Sequence, residues 1–557
     1  MALPTSDPNA QWPPKQLDTI LPAMARWSAW FSNDLERLQM VYGGGLSPDA
    51  GNGFFASQTG GFKAAVGRTL QRWFVGKPSA GVEQNTKLAI PIAAEMCQAS
   101  ADLLFADPVT VTVGPAPVAP KLDTAPTDAT PAPKAPNPTQ DRVETLLDEE
   151  FHTRIAEGAE LGAALGGVYL RVTWDTAVKT DGPFTTIVDA DQAVPEFRWG
   201  RLVAVTFWSV VHTDGKLVYR HLERHELDAF GNGVIRHGLY QGENDKLGIR
   251  VSLGTRTETA GLAVHVDLND EGTIDTKSAG LAVTYVSNQT PNRMWRHDPL
   301  GKNLGRSDLD GVEHLMDQLA ENYSDWMRAR RAARARVMHA KDLMKSEGPG
   351  KAATIDVDQE TYVNTSMPKG GGTTTPKMAD LVQVLQPTFD PEGYRITGEA
   401  LVEKILEMAG YSTQTFGVQP EGGGDRTATE IEAKERRSLM TRSRKIREWK
   451  PKLRQHVIKL LEVDNTFFGG KNVTSDIDIE FADGVQESQI KLGQFVQSLY
   501  ASESADVVER VSILHPDWDE DQINRQADAI RKEFAHEPMN DPAMDPFGDR
   551  DADEPQA

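Results

Sequence analysis

Four stretches of the sequence carry residue types that could do chemistry. In FGVQPEGGGDRTATEIEAKERR, residues 416–437, the glycines Gly422, Gly423 and Gly424 run into a charged helix. Phosphate-binding loops use that arrangement to present backbone N–H groups at a positive helix end. The chemistry also needs a Lys-Ser/Thr pair opening the helix and a strand leading in. Here the glycines meet Asp425, Arg426 and Thr427, and the preceding EALVEKILEMAGY is apolar at Leu401, Ile405, Met408 and Ala409, a helical period. An aspartate at that point repels phosphate, so the reading is a loop between two helices.

The second stretch, HLERH, places His221 and His225 four apart, a spacing that suits zinc on a helix. It lacks the His-Glu-x-x-His order and its flanks read as strand, which favours ordinary sheet histidines over a metal site. Cys97, in PIAAEMCQASADLLF, reads as a small apolar helix residue rather than a catalytic thiol. The nearest acidic cluster, DLDG at residues 308–311, lies at a helix start, where acids are expected for the helix dipole alone. No catalytic residue, metal or cofactor is implied by these patterns.

The chain has 557 residues, room for more than one folded unit, and a formal charge of -22. That balance argues against tight coating of nucleic acid, though not against loose contact. A single cysteine excludes an intrachain disulfide framework and fits a reducing compartment. The N-terminus lacks the basic-then-apolar pattern of a signal peptide. The most apolar run, residues 88–105, is interrupted by Glu95, Gln98 and Asp102, so no membrane span is expected.

The elements that must position the glycine loop follow from periodicity. Helices are expected over residues 23–42, 90–105 and 139–162, with a strand at 109–113. Between them, residues 114–138 hold eight prolines and read as a solvated insertion. From 166 to 286 the pattern is β-rich: GVYLRVTW, RLVAVTFWSVV, LVYRHLERHEL, GVIRHGLY, LAVHVDL and LAVTYV, with FGNG as a hairpin turn. A long helix is expected from a Ser307 cap to about 340. Its last third is basic, at Arg328, Arg330, Arg331, Arg334 and Arg336. Residues 341–391 read as a small loop-rich unit, and 392–409 as a short helix.

After the loop, TATE at 427–430 is a capping-box pattern. The helix it starts runs to about 463 with Leu439, Ile446, Trp449, Leu453, Val457 and Leu460 along one seam, and Pro451 should kink it. Residues 426–459 hold twelve basic and four acidic side chains, so the rest of the chain carries -30. A strand at DIDIEF, helices near 487–501 and 519–535, and a disordered acidic tail at 536–557 complete the reading.

In joint order, four stretches resemble the portal proteins of tailed bacteriophages, in the branch found in long-tailed phages of Gram-positive hosts, as in actinobacterial phages. They are NTKLAIPIAAEMCQASADLLFADPVTV, LGRSDLDGVEHLMDQLAENYSDWM, ILEMAGYSTQTFGVQPEGGGDRTATEIEAKERR and VSILHPDWDEDQINRQADAIRKEF. The proline-rich insertion and the acidic tail depart from that pattern, where a ring protein tolerates surface additions.

The resemblance implies an α+β portal fold assembled as a ring. Its parts would be an N-terminal region and α/β wing (1–306), a stem helix (307–340), a clip (341–391), a second stem helix (392–410) and a tunnel loop (411–426). A long kinked helix (427–465), a wing strand (466–485), a helical crown (486–535) and the tail would follow. About twelve copies would enclose a channel for double-stranded DNA at one capsid vertex, without enzymatic activity. The implied partners are the terminase large subunit, a head-tail adaptor, the major capsid protein and scaffold, with no membrane. The protein would be found in the virion, and in the host cytoplasm during assembly.

The loop residues Gln414, Thr415, Gln419, Glu421, Gly422, Gly423, Gly424, Asp425 and Arg426 would line the channel, the polar ones touching phosphate briefly and the acids repelling it. The five arginines at 328–336 would face the channel or a subunit interface. Competing readings are another head-associated structural protein, an adaptor or a scaffold, against which the β-rich middle counts. A nucleic-acid enzyme would need a Walker A sequence or clustered metal-binding carboxylates, neither of which is found.

Overall fold

The structure, a computed structural model, describes residues 3, 8–42, 88–114, 138–265, 273–333, 336–339, 382–385, 389–416, 428–470, 476–482, 495–500, 502, 504–515 and 520–534. It is α+β and falls into two units, residues 1–482 and 483–557.

In the first unit, caps decide where helices begin and end. The helical period over 23–42 yields two helices, α1 (Leu21–Phe31) and α2 (Leu35–Tyr42), because Asn33 takes φ +50° between them. Helix α3 (Ile92–Phe105) leads to strand β1 (Thr110–Val113). The helix expected from 139 is likewise divided, into α4 (Pro138–Leu146) and α5 (Glu149–Leu165). The Asp148 carboxylate caps α5 by accepting the Phe151 N–H at 3.0 Å. Helix α5 ends at Gly166, φ +88°, where an added Cβ would lie 2.7 Å from the Gly305 carbonyl oxygen.

Two antiparallel sheets follow. Strands β2 (Gly167–Thr173), β3 (Phe184–Asp189) and β10 (Val283–Ser287) pair in the order β10-β2-β3. The larger sheet runs β4 (Ala193–Arg198), β5 (Arg201–Asp214), β6 (Leu217–Leu227), β7 (Asn232–Glu243), β8 (Ile249–Val251), with β9 (Thr273–Ala279) also on β7. The segment LAVHVDL is not a strand where it is described: α6 (Thr257–His265) occupies it. Short apolar runs do not separate strand from helix.

Helix α7 (Glu313–Ala332) is shorter than expected, and β11 (Arg336–His339) pairs with β12 (Val382–Leu385) beyond it. Helix α8 (Pro391–Ala409) lies along α7. Gly398 lets the two approach, since a Cβ there would stand 3.2 Å from Asn322, whose amide donates to the Tyr394 carbonyl at 3.1 Å. The 40-residue helix α9 (Ala428–Phe467) continues through Pro451, and β13 (Ile477–Glu480) pairs with β1. Trp449, Leu453, Val457 and Leu460 of α9 are buried against α3, α4, α5, β2 and β13, as the expected seam requires.

Polar groups along α9 are also taken into the core. Asp464, 2% exposed at its side chain, accepts two hydrogen bonds from Arg142, at 3.0 and 2.5 Å. His456, fully buried, pairs through Nε2 with the Thr185 hydroxyl at 2.8 Å. Burial pushes the His456 imidazole down from 6.5 to about 3. Its neutral form is therefore favoured in the fold, and the stability it contributes is present above pH 6.5 and lost as pH falls from there toward 3. Lowering pH from 7 to 5 should remove about 2 kcal/mol through this residue. Urea titrations should show His456→Leu losing that part of the pH slope; an unchanged slope would remove His456 from the acid response.

The second unit holds helical residues 495–500, then α10 (Val507–Leu514), capped by Asp506, and α11 (Glu520–Phe534). Arg531 of α11 reaches Asp506 at 2.9 Å.

Candidate functional site: the base of the glycine loop

The glycine loop leaves α8 and returns into α9, and its outgoing foot is fixed against the body of α9. Gly410, φ +98°, ends α8 in a left-handed turn in which the Gly410 and Tyr411 N–H groups both reach the Leu406 carbonyl, at 3.0 and 2.8 Å. Hydroxyls on the early turns of α9 then take the outgoing chain. Thr441 donates to the Gly410 carbonyl at 2.7 Å, and the Ser438 hydroxyl accepts the Ser412 N–H at 2.8 Å while pairing with the Thr415 hydroxyl at 2.8 Å.

Beneath these contacts lies a buried charge cluster. Asp308 Oδ2 accepts from the Tyr411 hydroxyl at 2.6 Å and from Lys445 Nζ at 2.5 Å. Its Oδ1 accepts from Asn288 and Gln289, both at 2.8 Å. The remaining protons of Lys445 go to Ser100 on α3 and to the Tyr411 oxygen at 3.1 Å. The Asp308 side chain is fully buried and that of Lys445 is 2% exposed, so carboxylate and ammonium satisfy each other and their neighbours out of water. Burial, then the Asp308 charge, pushes the Tyr411 hydroxyl well above its ordinary value. The same two causes push up the Cys97 thiol, which matches its reading as a core residue and not a nucleophile.

Ser307 does not cap α7. Its hydroxyl donates to the Ala163 and Ala164 carbonyls at the end of α5, and accepts the Leu309 N–H at 3.0 Å. Asp308 is thus placed by the terminus of another helix. Glu313 opens α7 instead, accepting from the Gly311 N–H at 2.8 Å and from the Trp27 indole at 3.0 Å.

Of the loop residues expected to face a channel, Gln414 and Thr415 belong to the fixed foot, and the Thr415 hydroxyl is engaged by Ser438. The Gln414 amide oxygen is buried without a hydrogen-bond partner. Gln419, Glu421, Gly422, Gly423, Gly424, Asp425 and Arg426 lie outside the described residues, as does Arg334. Arg328 pairs with Asp325 at 3.1 Å, and Arg330 is exposed near the end of α7. Arg331 is in α7; Arg336, expected on the same helix, is in β11.

The two histidines of HLERH are on β6. His221 stacks on His237 of β7 with the rings 5.3 Å apart, and His225 meets Glu223 at 2.7 Å. Glu223 also takes Arg171 at 2.5 Å. Burial opposes its charge, but Arg171 outweighs it together with His225 and His237, and the carboxyl is held well below its ordinary value. Among the described residues no group of three His, Cys, Asp or Glu side chains could hold a metal ion, and no helix is long and apolar enough to cross a membrane.

Buried charge here ties the end of α8 to the body of α9, an arrangement that holds elements of a scaffold together. The family model "Phage portal protein, SPP1 Gp6-like" matches residues 69–506, and the chain belongs to that family. It is a phage portal protein, a structural and non-enzymatic component of the virion. Two solved structures are similar in outline, each covering 79% of this chain and 95% of its own. They are the virion of a native gene transfer agent particle (10% identity, TM-score 0.36) and the neck of an empty gene transfer agent particle computed with C6 symmetry (13%, 0.37). No curated protein matches the chain.

Proposed function

We propose that about twelve copies of this chain close into a ring at the unique capsid vertex, the conduit through which the genome is packaged and ejected. Family membership supports the conduit, and the fixed outgoing foot of the glycine loop supports its mechanical part. The chain clamped at 410–415 against 438–445 continues into a stretch that holds three adjacent glycines. Contact with passing double-stranded DNA must be weak, because each phosphate neutralised adds affinity that would hold the genome in place. Glu421 and Asp425 keep it weak, and the overall acidity suits a wall along which a polyanion slides.

In this reading α7 and α8 are the paired stem helices, β12 falls in the clip (341–391) and pairs with β11 at the end of the first stem segment, the larger sheets form the wing, and α10 and α11 the crown. The clip docks the terminase large subunit and later the head-tail adaptor, while the wing meets the major capsid protein and scaffold. The ring assembles in the host cytoplasm. The resemblance noted in the sequence supports an origin among long-tailed phages of Gram-positive hosts.

At 61.2 kDa per chain, a ring of ~12 has a mass of roughly 730 kDa. Native mass spectrometry of the purified protein should find that species, and negative-stain images should show rings with a central hole. A monomer or dimer alone at high concentration would sink the assembly.

A further inference from the structure

We propose that one end of the six-stranded sheet, carrying Trp199 and Phe230, is the surface by which each copy grips its neighbour; this rests on the ring reading above. Both residues stand on tight turns. The turn joining β4 to β5 is Arg198-Trp199-Gly200-Arg201, with φ +51° at Trp199 and +77° at Gly200. Two-residue hairpins of this kind favour Asn-Gly or Asp-Gly, because positive φ is strained for a bulky side chain. The chain nevertheless places a tryptophan there, 97% exposed.

The turn joining β6 to β7 holds Phe230, 91% exposed, and is fixed by Asp228, whose carboxylate accepts the Phe230 and Asn232 N–H groups, each at 2.8 Å. Val205 pairs with His225, so the start of β5 lies beside the end of β6 and both turns project from the same end of the sheet. Neighbouring strands are about 4.8 Å apart, which sets the centres of the two turns roughly 10 Å from each other. Leu227, also exposed, lies at the foot of the second turn.

Aromatic rings on rigid turns, flanked by arginine, are the composition of interface anchors, since little side-chain freedom is lost when they dock. Arg198 and Arg201 are exposed and have no ion-pair partner among the described residues. These two cations stand out from a chain of charge -22, so the body of another copy offers the opposite sign. Two such ends would repel each other, which disfavours a two-fold contact. A head-to-tail contact, the end of one copy against a different face of the next, net-acidic copy, is the kind that closes rings.

The test uses the full chain with Trp199→Asn, which deletes the indole while supplying a residue that the turn favours, and separately Arg198→Glu with Arg201→Glu. Assembly is followed by native mass spectrometry across a dilution series, with circular dichroism and urea unfolding as controls. Trp199→Asn should fold as the wild type does, yet need roughly tenfold more protein for half assembly. The charge-reversed variant should assemble less and lose the salt sensitivity of the wild type. Rings formed by Trp199→Asn at the wild-type concentration would overturn the proposal. So would normal rings that fail to enter particles, since the anchor would then serve another virion protein. A wild-type chain that never forms rings would remove the ring reading and this one with it, and is told apart by needing no variant.

Discussion

Asp308→Ala should destabilise the first unit by about 3–5 kcal/mol, because it leaves the Lys445 ammonium buried without a counter-charge. Lys445 sits 137 positions from Asp308 and is held by it, by Tyr411 and by Ser100, and neither hydroxyl can replace a carboxylate. The loss is expected to extend beyond stability. Tyr411 would lose its acceptor, and the outgoing foot of the loop would be left with its contacts to Ser438, Thr441 and Lys445. Urea unfolding of Asp308→Ala, Lys445→Met and the Asp308→Ala/Lys445→Met pair separates the causes. With both charges gone, the pair should lose less than the sum of the single losses. Strictly additive losses would show that the two groups do not act as one buried unit.

Replacing Gly422, Gly423 and Gly424 together with alanine should leave rings intact while packaging fails. Three glycines allow backbone angles that alanine does not, and alanine favours extending the helix that begins at Ala428 backward into the loop. None of the buried contacts described at the feet involves these three residues, so assembly serves as the internal control. In an infected host the variant should yield roughly tenfold fewer filled heads, with empty or partly filled heads carrying normal portal rings. Normal filling and normal phage yield would reject a role for this loop in moving DNA, even with the family assignment intact.

The parts of the fold that could be read from sequence are those fixed by local rules. Helix α9 was legible because its apolar seam keeps a helical period from Leu439 to Leu460, about six turns, and because TATE marks its start. Strands β5, β6 and β7 were legible from their β-branched and aromatic runs. The break between α1 and α2 was not, since Asn33 interrupts the backbone without interrupting the apolar period. Nor were β3 and β4, whose mixed sequences FTTIVD and AVPEFR carry little alternation.

The loop itself drew attention by its glycines, but what holds it did not. DLDG looked like acids at a helix start, and Asp308 is instead the centre of the buried cluster. Its partners Tyr411 and Lys445 are 103 and 137 positions away, and no local spacing encodes such a meeting. The one available signal was a lysine at 445 on the inward side of the seam, four residues before Trp449, where a charge demands a partner.

The two ends of the loop also set a limit on how far it can follow anything. Eleven residues separate the turn that ends at Phe416 from the start of α9 at Ala428. A peptide spans at most about 3.3–3.6 Å per residue, so an arc of that length, tied at both ends, reaches no more than roughly 20 Å from its base. One turn of duplex DNA is about 34–36 Å long. In the conduit proposed above, a loop swinging that far to either side of its base would accompany the duplex for no more than about 40 Å, little more than one turn, before letting go. Continuous travel would therefore be a relay, with the strand handed from one copy to the next.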